Sequence, residues 1–119
     1  MIVARDRLRL VGRVPRRHLE SGAMLRLEHP PFHVLVAMVD GKPCAIEDAC
    51  NHAGASLTEG ERQGECVSCP MHGYRFELAT GRLIAPAGLC PGQRRFVADL
   101  VGEDVVVWDD GAGVVILGP

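Results

Sequence analysis

Two short motifs, Cys50-Asn51-His52 and Cys69-Pro70-Met71-His72, hold the residues best suited to chemistry in this chain. Each pairs one thiolate with one imidazole, and sixteen residues separate the two motifs. That is about one hairpin's worth of chain. Two sulfur and two nitrogen donors on neighbouring loops suit two irons of unequal character. Thiolates favour the iron that stays ferric, and neutral imidazoles favour the iron that accepts an electron. Zinc is the rival occupant, because two Cys and two His also make a tetrahedral site. Zinc fingers, however, pair Cys with Cys and His with His at short spacing. Here each motif is mixed, which favours iron and sulfide.

The elements around these motifs are β throughout. Arg7 to Gly12 and Met24 to Glu28 alternate polar and apolar residues, the period of a half-buried strand. Phe32 to Val39 is a longer apolar run and predicts a strand covered on both faces. Asp40-Gly41 is a hairpin signal leading into Cys44-Ala45-Ile46. Arg95 to Val101 and Asp104 to Trp108 predict a second strand pair, and Val114 to Leu117 a last edge strand. Pro15 to Glu20 is the one helix candidate, a single turn stopped by Gly22. Residues 48 to 90 differ: they hold both motifs, six of the fourteen glycines and no long apolar run. This segment reads as a loop-rich subdomain inserted into a larger framework. A bound metal centre would contribute much of its folding free energy.

Length and composition bound the rest. The 119 residues make one domain, 1–119, with a modest core. A formal charge of −2 gives no basic face for nucleic acid. Met1 to Asp6 is charged within six residues and no apolar run follows, so no signal peptide is expected; Arg16-Arg17 lacks the apolar stretch of a twin-arginine signal. No run reaches the roughly 18 apolar residues of a spanning helix. A cytoplasmic protein with no membrane partner is the expectation. In that compartment five cysteines are more readily ligands or free thiols than disulfides. Cys44, Cys66 and Cys90 read as small buried hydrophobes, with Cys66 near the subdomain's own core. His18 and His29 read as exposed and idle, and His33 as packed in a strand. Trp108 reads as core or rim. Ser56 and Ser68 have no free His and Asp to make a nucleophile.

Cys50-Asn51-His52-Ala53-Gly54-Ala55-Ser56-Leu57 followed by Cys69-Pro70-Met71-His72-Gly73-Tyr74-Arg75-Phe76 resembles the soluble Rieske ferredoxins. The resemblance implies an all-β fold: an antiparallel framework of about three small sheets with the cluster-binding subdomain, about residues 48–90, at one end. It implies one 2Fe–2S cluster per chain. Cys50 and Cys69 would hold the inner iron, and His52 and His72 the outer iron at the tip. Gly54 and Gly73 would let backbone amides approach the sulfides, whose charge such donors stabilise. Pro70 would fix the chain between the second thiolate and its histidine. Ala85-Pro86-Ala87-Gly88 resembles the loop that covers the cluster. The implied role is one-electron transfer, without catalysis by the chain itself, from a flavin-dependent reductase to a terminal oxygenase of a ring-hydroxylating system. The alternative is a small subunit or accessory domain of a reductase, such as nitrite reductase.

The departures from the family pattern are informative. Relatives in respiratory and photosynthetic complexes carry a disulfide between the cluster loops, at positions where this chain has Ala55 and Met71. They also carry a serine and a tyrosine that donate to cluster sulfurs, where this chain has Tyr74 and Phe76. Fewer donors leave the reduced cluster less stabilised. The midpoint potential is therefore expected below about +100 mV, in the lower part of the roughly −150 to +300 mV open to such centres. A redox titration giving a higher value overturns that expectation.

Overall fold

The computed structural model describes residues 8–31, 33–50, 54–71, 73–86 and 92–110. Among them, ten strands form three antiparallel sheets. The terminal sheet has the order β1 (Arg9–Pro15), β10 (Asp104–Asp109), β9 (Val97–Val101). The central sheet runs β2 (Leu25–Leu27), β3 (Val34–Val39), β4 (Lys42–Glu47). The third runs β5 (Glu61–Gln63), β6 (Cys66–Ser68), β7 (Arg75–Glu77), β8 (Leu83–Ala85). Single 3-10 turns lie at Arg16–His18 and Leu57–Glu59. Among the described residues no helix is long and apolar enough to cross a membrane.

The apolar run in β3 is explained by its two neighbours. Leu35, Ala37 and Val39, with Cys44 and Ile46 of β4, face the third sheet and pack with Leu57, Val67, Phe76 and Leu78. Val34 and Val36, with Ala45, face the other way and pack with Val14, Phe96, Val105 and Val107. The central sheet is thus buried on both faces, and a strand in that position needs apolar residues without alternation. Asp40 and Gly41 both take positive φ, 52° and 77°, as a two-residue hairpin of the primed kind requires. The expected helix is the 3-10 turn at Arg16–His18, with Gly22 at φ 90° donating its N–H to the Leu19 carbonyl at 3.2 Å. The expected strand at 114–117 lies outside the described residues.

The middle of the chain is more regular than its sequence indicates. Strands β5 to β8 have three residues each, too short to show a period. Arg62 of β5 ties this sheet to the framework. Its guanidinium donates to the carbonyls of Gly64 at 2.8 Å, Gly22 at 3.1 Å and Met38 at 2.7 Å. Arg62→Ala is expected to cost about 1–2 kcal/mol, because part of the freed carbonyl surface regains water. Arg62→Lys recovers little, since an ammonium cannot serve three divergent acceptors. A thermal melt of the cluster-loaded protein checks both; an unchanged Arg62→Ala midpoint refutes the docking role.

Two histidine expectations are corrected. His29 is not idle: its Nε2 lies 2.7 Å from Oδ2 of buried Asp109, and its ring meets Phe96 edge-on at 5.9 Å. Arg94 pairs with the same carboxylate and stacks 4.5 Å over Phe96. His33 precedes β3 at φ 57°, outside any strand, and its Nδ1 accepts from the His29 N–H at 3.1 Å. These contacts hold the terminal sheet to the Pro30 turn. His18 is exposed, as expected, and Trp108 sits at the rim of the terminal sheet.

Candidate metal centre

Each cysteine motif sits in a loop that the third sheet or its neighbour anchors. The first loop leaves β4 at Asp48-Ala49, and Ala49 bridges antiparallel to Ser56 on its return. The second loop joins β6 to β7, closed by the pair Ser68 and Arg75. Both loops have the same backbone frame. The Cys50 N–H donates to the Ala55 carbonyl at 2.7 Å, and the Gly54 N–H to the Cys50 carbonyl at 2.7 Å. The Cys69 N–H donates to the Tyr74 carbonyl at 2.7 Å, and the Gly73 N–H to the Cys69 carbonyl at 2.9 Å. Glycine stands four residues after each cysteine, at φ 74° in both loops. An L-residue there would be strained. A Cβ on either glycine meets no described atom within 4 Å, so the sign of φ, rather than crowding by protein, selects glycine.

The frames put sulfur inside and backbone outside. Cys50 and Cys69 are each 2% exposed and belong to one apolar cluster with Leu57, Val67 and Phe76. Gly54, Pro70, Met71 and Gly73 are exposed, Met71 at 62%. Tyr74 is half-buried against the same cluster, and Pro86 is exposed after β8. His52 and His72 lie outside the described residues, as do Asn51, Ala53, Ala87, Gly88 and Cys90.

Backbone contacts bring the two loops together. A Cβ on Gly60, just past the first loop, would stand 1.9 Å from the carbonyl oxygen of Ser68, the residue before Cys69. Only glycine permits that approach. Behind the first loop, buried Gln93 donates from Nε2 to the carbonyls of Glu47 at 2.8 Å and Ala49 at 2.7 Å. Asp48, 2% exposed, accepts from Ser56 Oγ at 2.6 Å, from the Thr58 N–H at 2.8 Å and from Thr58 Oγ1. Nothing in the sequence flagged Gln93 or Asp48. The repeated Cys-x-x-x-Gly was legible there as a pattern shared by both motifs.

The donor set fits an iron–sulfur centre. Two buried thiols, neither in a disulfide, share one water-poor cluster at the base of twin loops. Low polarity and shielding from solvent are among the features that tune such a centre. The remaining cysteines have other environments. Cys44 is buried, and its S–H donates to the Lys42 carbonyl at 3.7 Å. Burial raises its pKa, with Arg95 and Arg62 opposing, so it stays a thiol at neutral pH. Cys66 adjoins inward-facing Val67, near the subdomain's core as expected, but it is half-buried and belongs to neither core cluster, which corrects its reading as a buried hydrophobe.

Comparison with known proteins places these loops in a family match. The sequence profile of the Rieske [2Fe-2S] domain matches residues 13–89. The ferredoxin component of biphenyl 2,3-dioxygenase from Rhodococcus jostii (strain RHA1) is 41% identical over 90 residues, which are 75% of this chain and 82% of that protein. The ferredoxin of carbazole 1,9a-dioxygenase from Nocardioides aromaticivorans IC177 superposes with a TM-score of 0.73 at 26% identity, covering 82% of this chain and 95% of that one. A complex of reduced oxygenase and oxidized ferredoxin in carbazole 1,9a-dioxygenase contains a chain similar at TM-score 0.71 and 28% identity, covering 78% of this chain and 86% of that one.

Proposed function

This chain belongs to the Rieske [2Fe-2S] domain family, and from that membership we propose that it is the ferredoxin of a multicomponent ring-hydroxylating oxygenase. It carries one 2Fe–2S cluster and transfers single electrons; it catalyses no reaction of its own. Its electron donor is a flavin-dependent reductase and its acceptor a terminal oxygenase. The observation that carries this reading is the similarity over most of the chain to the biphenyl 2,3-dioxygenase ferredoxin component. The pairing of oxygenase and ferredoxin in a structurally similar complex supports the partner.

In this reading Cys50 and Cys69 hold the inner iron, and His52 and His72 the outer one. The buried thiols support that division, as do exposed Met71 and Gly73 on either side of position 72. Gly54, Gly73 and Pro70 set the loop frames, Tyr74 packs behind them, and Pro86 begins the covering stretch. Residues 48–90 act as the cluster-binding unit of one domain, and the protein works in the cytoplasm. Met71 offers a partner an apolar side chain at the apex. With a net charge of −2, steering is modest and each encounter brief.

The test is EPR of anaerobically purified, dithionite-reduced protein, with iron and sulfide quantified on the same sample. The expected result is a rhombic signal of low average g at two irons per chain. A silent spectrum with stoichiometric zinc would place the protein among structural zinc domains.

A further inference from the structure

We propose that Asp48 is a positioning residue that also fixes a negative charge behind the cluster and holds its potential down. The inference rests on the cluster reading above. Asp48 lies two residues before Cys50 and is 2% exposed. Every hydrogen bond to its carboxylate comes from a neutral donor: Ser56 Oγ at 2.6 Å on Oδ2, and the Thr58 N–H at 2.8 Å with Thr58 Oγ1 on Oδ1. Among the described residues no Arg, Lys or His pairs with it. One backbone N–H and two hydroxyls able to donate face the group, a setting that satisfies a carboxylate anion. The backbone of Asp48 is pinned as well: its N–H donates to the His33 carbonyl at 3.0 Å, and its carbonyl accepts from the Leu57 N–H at 2.8 Å.

A tether alone does not require a charge. A serine or an asparagine also joins two strands of a loop, without the cost of burying an ion. A buried anion whose partners are all neutral keeps its field, since no cation cancels it and little water screens it. The reduced cluster is one unit more negative than the oxidised one. A fixed negative charge beside it therefore disfavours reduction, and local charge is among the determinants of cluster potential.

Asp48→Asn separates charge from tether. The amide oxygen keeps both Thr58 bonds, and Nδ2 donates to Ser56 Oγ, which rotates to accept. The experiment compares the wild type, Asp48→Asn and the double variant Ser56→Ala/Thr58→Val, each purified with its cluster. Iron per chain, the EPR signal and the midpoint potential are measured. Asp48→Asn is expected to keep iron and signal, with a midpoint more positive than the wild type. An unchanged or more negative midpoint in iron-replete Asp48→Asn overturns the proposal and leaves Asp48 a tether. If Asp48→Asn loads no iron, the double variant decides, because it keeps the carboxylate and removes two of its three hydrogen bonds: an ionised carboxylate, less offset, lowers the midpoint, and one driven neutral raises it. A shifted midpoint there supports the proposal; an unchanged one overturns it. A wild type without two irons and a signal would instead overturn the cluster reading itself.

Discussion

Replacing Cys69 by serine is expected to drop iron from two per chain to background and abolish the reduced EPR signal, while Cys66→Ser keeps both. The two residues are three apart and form a C-x-x-C, so spacing alone would pair them. The strand between them separates them. In β6, Val67 points into the core, which leaves Cys66 half-buried off that core. Cys69 follows the end of the strand, is 2% exposed, and shares its apolar cluster with Cys50. A serine hydroxyl at position 69 would have to ionise to replace the thiolate, and it does so far less readily. The Cys69→Ser protein should also unfold more easily, because the centre contributes folding free energy to a sheet of three-residue strands. Equal iron loss in the two variants would mean that Cys66 is a ligand and the assignment is wrong.

The fold was legible where an element could state its own environment. β3 declared its two-sided burial by lacking alternation, and Asp40-Gly41 declared its turn. The terminal pair β9 and β10 showed the same way, through long apolar strands around Gly102. The third sheet was hidden because a three-residue strand holds barely one alternation, and its register depends on partners set by the loops. The His29 and Asp109 contact spans 80 positions, and no local pattern reports it. His33 looked like a strand residue beside an apolar run, yet its φ of 57° closes a turn. The candidate ligand motifs stood out because metal chemistry restricts residue types tightly. Their supports were not: Asp48 and Gln93 are ordinary polar residues whose role follows only from burial and from the carbonyls and donors they meet.

Phe76→Ala is expected to destabilise the cluster-loaded protein by roughly 3–5 kcal/mol, the cost of emptying a fully buried aromatic site. Phe76 is 0% exposed and packs in the cluster that contains Cys50, Cys69, Leu57 and Val67. It pairs across the sheet with Val67 and Leu83, so its ring touches the core that carries both loops. Against a total stability of about 5–15 kcal/mol for a domain of this kind, that loss is large. The cavity would also lie beside the thiols and admit motion or water where the centre needs a dry, rigid base. Faster iron release on challenge with a chelator should therefore accompany the lower denaturation midpoint. Phe76→Leu keeps most of the volume and should cost about 1.5 kcal/mol or less, with iron release near that of the wild type. The pair separates packing from general sensitivity of the loop. If Phe76→Ala unfolds within about 1 kcal/mol of the wild type, well below the usual aromatic-to-alanine cost, the core collapses around the site. The loops would then be held by their backbone frames and by Gly60 against Ser68, and the shared apolar base would not be what fixes the two thiols together.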